Sequence, residues 1–168
     1  MTSRRVWVIM SIGMMRNGEP MQISQKCQYA LRAVFELAAR ASDAPVKVGD
    51  IAEAQAIPPR FLEIILNQLK RGGFVESRRG AAGGYALARS PAELTMGEII
   101  RFVEGPFKPV ACTTGHSDER CPLYGDCVFL EVWEEARKAM TEVFDRTTFQ
   151  DLVKRRKHKG TYVSLYNI

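Results

Sequence analysis

The sequence predicts a mostly α-helical chain that carries one small β-hairpin, and three observations predict it. Residues 48–71 hold two short apolar stripes at helical spacing, one on each side of Pro58-Pro59. Residues 74–87 hold two strand-like runs, Phe74-Val75-Glu76-Ser77 and Tyr85-Ala86-Leu87, parted by Gly80, Gly83 and Gly84. Residues 128–146 carry the longest amphipathic stripe in the chain. Two helices around a tight turn, then a hairpin flanked by arginines, make a winged helix-turn-helix with a small β-hairpin wing. The third stripe reads as a long dimerisation helix.

Residues 1–20 open on Arg4-Arg5 and an apolar run from Val6 to Met15, the outline of an export signal. The run is short and no small-residue cleavage site follows it, so these residues read as an extension or a misassigned start. A DNA-binding region over 21–95 comes next. Its first helix spans Ser24 to Ala41, with Leu31, Val34, Phe35, Leu37 and Ala38 as the apolar stripe. Ile51, Ala52 and Ile57 mark the first helix of the helix-turn-helix. Proline at a first helical position forfeits no hydrogen bond, so Pro58-Pro59 starts the second. In that helix Phe61, Leu62, Ile65, Leu66 and Leu69 are expected to face the core. Arg60, Glu63, Ile64, Asn67 and Arg71 lie on the opposite face, where side chains could reach base edges in a major groove. Arg78, Arg79 and Arg89 flank the hairpin turn, and arginines on a narrow ribbon suit phosphates or a minor groove. Pro59, Arg60, Glu63, Ile64, Asn67, Arg71, Arg78, Arg79 and Tyr85 are therefore the candidate DNA-binding residues.

Residues 96–153 form the expected dimerisation region. Thr95 and Glu98 make a capping-box pattern ahead of Ile99, Ile100 and Val103, and Gly105-Pro106 stops that helix. A loop over 105–127 holds Cys112, His116, Cys121 and Cys127. The long helix, Val128 to Arg146, sets Phe129, Leu130, Trp133, Ala136, Met140, Val143 and Phe144 on one side. A small winged domain cannot cover all of that stripe, so a second copy is expected to, with Trp133 and Met140 as contacts. Thr148 and Asp151 read as the cap of one further short turn. Residues 154–168 read as a basic tail.

Composition sets the outer bounds. The chain has 168 residues, a formal net charge of +5 and a pI of about 9.2, which favours an anionic partner. No apolar run is long enough to span a bilayer. Two histidines, no catalytic triad and no G-x-x-x-x-G-K-[ST] loop argue against an enzyme. Three of the four cysteines fall between 112 and 127, which in the reducing cytoplasm suggests metal or redox chemistry before disulfides. The residues leave three readings open: an iron–sulfur cluster, metal-free reactive thiols, or zinc without its usual short knuckle. Cys27, alone in an apolar helix, reads as a small buried hydrophobe.

Met21-Gln22-Ile23-Ser24, Tyr29-Ala30-Leu31-Arg32-Ala33, Ile51-Ala52, Phe61-Leu62-Glu63 and the run Arg79-Gly80-Ala81-Ala82-Gly83-Gly84-Tyr85-Ala86-Leu87 resemble the Rrf2 family of bacterial transcriptional regulators over about residues 21–153. The resemblance implies a homodimer that binds double-stranded DNA. Many members carry an iron–sulfur cluster, [2Fe–2S] or [4Fe–4S], on three cysteines just before the dimer helix, the place of Cys112, Cys121 and Cys127. Relatives with a cluster commonly show C-x5-C-x5-C. Here the second gap holds five residues and the first holds eight. A fourth ligand found in some relatives falls at Leu130, and in others at Gln28, neither suited to iron; Cys27 and His116 are the other candidates. A regulator without a cluster, answering a protein partner, a metabolite or thiol oxidation, is the alternative.

Overall fold

The computed structural model describes residues 23–40, 44–80, 83–107, 110, 123 and 126–164, with backbone alone from 158 onward. Among these residues it has six helices and one two-stranded antiparallel sheet. In chain order they are α1 (Gln25–Ala39), α2 (Val48–Gln55), α3 (Pro59–Arg71), β1 (Val75–Arg78), β2 (Gly84–Leu87), α4 (Met96–Glu104), α5 (Leu130–Arg146) and α6 (Phe149–Ser164). No helix among the described residues is long and apolar enough to cross a membrane.

Ser24 starts α1, its Oγ accepting a hydrogen bond from the Cys27 N–H at 3.2 Å. Ala30, Ala33, Val34 and Leu37 are buried, and α2, α3, α4, α6 and β2 all pack on this helix. Small side chains on α1 let so many neighbours approach. Val34, Leu37 and Ala38 behave as the stripe predicts; Leu31 and Phe35 are half-buried at its edges. The helix ends at Ala39, two residues before the expected stop.

Ile51, Ala52 and Ile57 enter the core from α2 and the turn after it. Ala56, at φ 47°, closes α2 in the left-handed region, a strained conformation for a residue with a Cβ. Pro58 caps α3 and Pro59 opens it. Leu62, Ile65, Leu66 and Leu69 are buried. Phe61 is not: it is 61% exposed, which corrects the expectation that it joins the core. It lies at the rim of the stripe, and the groove that receives α3 is narrower than the run of apolar residues.

The wing pairs Val75 with Leu87 through Arg78 with Gly84. Val46, ahead of α2, exchanges two hydrogen bonds of 2.8 Å with Tyr85 and ties the wing to the helix-turn-helix. Gly80 takes a φ of 106°, which a turn can ask only of glycine without strain. Gly84 is needed for another reason: a Cβ there would meet the Val46 carbonyl oxygen at 2.3 Å.

The capping box of Thr95 and Glu98 is present at the start of α4. Helix α4 packs on α5, and Gly97 permits the close approach, since a Cβ would lie 1.8 Å from Asp145 Oδ1. The short turn expected after Thr148 is instead the full helix α6. Thr148 and Asp151 cap it reciprocally, and Phe149 is wholly buried among the residues of α1 to α4. The basic run is thus helical at least through Ser164, and Arg156 has structural work: it lies 3.5 Å from Glu36 and stacks over Phe35.

Glu36 is 3% exposed. It accepts hydrogen bonds from Arg40 Nε at 2.6 Å and Gln55 Nε2 at 2.7 Å, so one carboxylate joins α1, α2 and α6. Burial alone would push its pKa up. The hydrogen bonds from Gln55 and Arg40 and the charges of Arg40 and Arg156 outweigh burial and hold it below the ordinary carboxylate range. A pKa lower in the folded than in the unfolded state contributes stability above the unfolded value, and that stability is lost as pH falls through the folded value. Glu36→Gln should therefore flatten the acid limb of a melting-temperature profile. Glu36→Ala should cost about 2 kcal/mol at neutral pH, as for a hydrogen-bonded charge whose arginine partners still reach water. Urea melts of both variants check this.

Candidate nucleic-acid interface

The outward face of α3 assembles most of the residues expected to read DNA. Pro59, Arg60, Glu63, Ile64, Asn67 and Arg71 are all exposed along one side of the helix. That side presents positive, negative, amide and apolar groups, the mixture that base edges in a major groove call for. Phe61 belongs to this surface too, a residue that stripe counting assigned inward. Its neighbour Ile64, 57% exposed, is the signal that this sector of the helix faces away from the core.

The wing stands beside α3 and is fastened to it. Lys70 Nζ donates to Ser77 Oγ at 2.6 Å, joining the last turn of α3 to β1. Neither residue was singled out from the sequence, because a lysine–serine pair across a turn leaves no pattern. Arg78, at the end of β1, and Arg79 beyond it are exposed; Arg78 also lies 3.5 Å from Glu76. Tyr85 is half-buried, with its backbone bonded to Val46 and its ring against the core, so it sits at the base of the wing. Arg89, just past β2, is exposed. It pairs with Glu98 at 2.9 Å and stacks over Phe74. Burial pulls the Glu98 carboxyl up, but the Thr95 backbone N–H and then the hydrogen bond and charge of Arg89 hold it below its usual range.

Of the candidate metal ligands, Cys112, His116 and Cys121 lie outside the described residues. Cys127 is half-buried and stands immediately ahead of α5, its carbonyl accepting from the Leu130 N–H at 3.1 Å. The positive end of the α5 dipole favours anionic ligands there. Among the described residues no three metal-ligating side chains gather. Cys27 is fully buried, as the sequence predicts. Its thiol is pushed up to about 12, first by burial and then by the charge of Glu104 and the hydrogen bond to it. A neutral, enclosed thiol is a packing group. The Gln28 amide donates to the Ile23 carbonyl at 2.9 Å.

Helix α5 has no buried residue. Val128, Phe129, Val132 and Trp133 are exposed at steps of three and four, and Val143 is exposed further along, an apolar face that the described part of the chain leaves open to solvent.

Three comparisons place this architecture. A family profile described as Rrf2, iron-dependent transcriptional regulator, matches residues 23–155. The HTH-type transcriptional regulator CymR of Bacillus subtilis is 36% identical over 132 residues, covering 79% of this chain and 89% of that protein. The solved structure of that global cysteine regulator superposes with a TM-score of 0.67 at 35% identity over 80% of this chain and 97% of CymR. The structure of T. potens IscR gives a TM-score of 0.65 at 35% identity, covering 80% of this chain and 88% of IscR. The NsrR regulator of Bacillus licheniformis is 32% identical over 138 residues, 82% of this chain and 96% of the relative. Profile, identity and fold agree: the chain belongs to the Rrf2 family of DNA-binding transcriptional regulators.

Proposed function

We propose that this regulator reads its operator with the exposed face of α3 and holds the backbone with its wing. The observation that carries this is the single face of Arg60, Glu63, Ile64, Asn67 and Arg71, mostly polar and open to solvent beside a wing bearing Arg79. Residues in the first turns of a recognition helix meet base edges, and arginines on the wing meet phosphate or the minor groove. Arg60→Ala and Glu63→Ala should each change which base is preferred, by about 1–3 kcal/mol for a lost specific contact. Arg79→Ala should weaken every site alike and lower the salt dependence. Competitive binding to a randomised duplex pool distinguishes the two patterns; unchanged specificity in both α3 variants would remove α3 from the interface.

The active species in this proposal is a cytoplasmic homodimer joined along α5. An apolar face with several large exposed side chains needs a partner, and a second copy of the same face supplies one by two-fold symmetry. Two reading heads then meet two half-sites at a spacing the dimer sets. Val132→Glu with Trp133→Ala should shift sedimentation from dimer to monomer and weaken operator binding steeply. A wild-type monomer at micromolar concentration overturns this part.

Cys112, Cys121 and Cys127 are proposed as ligands of an iron–sulfur cluster, [2Fe–2S] or [4Fe–4S]. What supports this is three cysteines ahead of α5, with Cys127 at the positive end of that helix. When bound, the cluster would supply a site sensitive to iron supply, nitric oxide or oxidation. The eight-residue first gap favours a second reading, a cluster-free regulator that answers thiol oxidation, a metabolite or a protein partner. Iron and sulfide analysis of anaerobically purified protein separates the two. Stoichiometric iron with visible absorbance, lost in Cys127→Ser, is the expected result. Colourless, iron-free protein that still binds its operator assigns the chain to the second reading.

A further inference from the structure

We propose that Phe61 and Ile64 form an apolar reading patch that selects thymine by its C5-methyl group; this rests on α3 being the recognition helix. Phe61 is 61% and Ile64 57% exposed, whereas Leu62, Ile65, Leu66 and Leu69 on the same helix are at most 4% exposed. The two lie three residues apart on the first turns of α3, so their side chains are neighbours on its surface. Neither packs against the core among the described residues.

The surroundings say what kind of partner they meet. Arg60, Glu63, Asn67 and Arg71 flank them and are exposed, as is Arg79 on the wing. Such a rim suits a polyanion with hydrogen-bonding edges, and it would burden a dry protein interface with desolvated charge. In the major groove of DNA the one apolar group presented by the bases is the thymine methyl. A phenyl ring and a sec-butyl side chain offer no hydrogen bond, so they gain only by covering that methyl. Against another base they would strip water from a polar edge and return no partner, which penalises the mismatch. Arg60, Glu63 and Asn67 can read donors and acceptors; Phe61 and Ile64 add thymines at positions those polar residues do not specify.

The test uses the full-length protein, purified without oxygen, and a randomised duplex pool. After selection, the bound duplexes are amplified with dUTP in place of dTTP. Uracil keeps every hydrogen-bonding group of thymine and lacks only the methyl. The expected result is enrichment of thymine at fixed positions, and a loss of about fourfold in affinity for each contacted methyl, the equivalent of ~0.8 kcal/mol per buried carbon. Phe61→Ala should erase the uracil penalty at one position of each half-site and Ile64→Ala at another. Both residues are exposed, so folding should survive either change, and the uracil comparison leaves the protein untouched in any case. Uracil-substituted duplexes that bind as tightly as their thymine counterparts overturn the methyl reading while leaving α3 as the recognition helix. A pool in which no sequence is enriched overturns both.

Discussion

Ala30, Ala33 and Val34 put little more than backbone between α1 and the elements packed on it, and the rest of the fold depends on that close burial. An α-helix so surrounded has little room for a charge, yet Glu36 lies buried in its last turn. The charge is tolerated because Arg40, Gln55 and Arg156 deliver donors from α1, α2 and α6. A buried carboxylate with fewer partners would be unfavourable by several kcal/mol. The same interactions that make the burial possible also fix α2 and α6 relative to α1. The first helix of the reading head and the C-terminal helix therefore share one anchor, although more than ninety residues of sequence separate them.

The reading head is held together by contacts of several kinds. Val46 and Tyr85 bridge the segment before α2 to β2, and Lys70 and Ser77 bridge α3 to β1. Phe74, beneath the wing, stacks edge-on with Phe102 of α4 at 5.0 Å while Arg89 covers its ring. With each strand fastened to a helix, α3 and the wing present their side chains as one surface. Specific readout benefits from such preorganisation, because side chains held in place lose less entropy on binding.

Much of this was legible from the residues. The apolar period gave α1 to α3, the glycines gave the wing, and Thr95 with Glu98 gave the start of α4 because reciprocal capping has a fixed spacing. Phe61 was misread for a physical reason: hydrophobic period reports which residues could be buried, not how wide a groove receives them. The Arg89–Glu98 pair left no sequence signal, because a basic residue near a turn looks the same whether it meets phosphate or a neighbouring carboxylate. Helix α6 was read as one short turn and a basic tail because Lys154 to Lys159 dominate the composition. Phe149, Leu152 and Val153, at steps of three and one behind a Thr-x-x-Asp cap, were the signal. The long apolar face of α5 was visible in the sequence as more stripe than a small domain can bury, and the other described residues leave it uncovered.

The two ends of α5 are held very differently. At its C-terminal end the backbone is stitched to the core: the Met96 N–H donates to the Thr147 carbonyl, Phe149 to Leu94 and Gln150 to Pro91. Arg101 and Asp145 add an ion pair at 2.5 Å, and Phe107 meets Phe144 edge-on. At the N-terminal end, Val128 and Phe129 are exposed beside Cys127. Chemistry at Cys127 would act on the end that has fewer tethers among the described residues, far along the helix from the stitched one. A rod fixed at one end turns about that end, so a small change at Cys127 would be expressed mainly along the apolar face, where a partner copy would lie. Leu94 and Phe149, at the pivot, belong to the same core as α3. For such a lever to regulate, the two arrangements must differ in affinity for DNA, and a difference of about 1–3 kcal/mol is enough to change occupancy markedly. An anchored end would keep the reading head folded in either arrangement, and so would separate the stability of the domain from any signal it transmits.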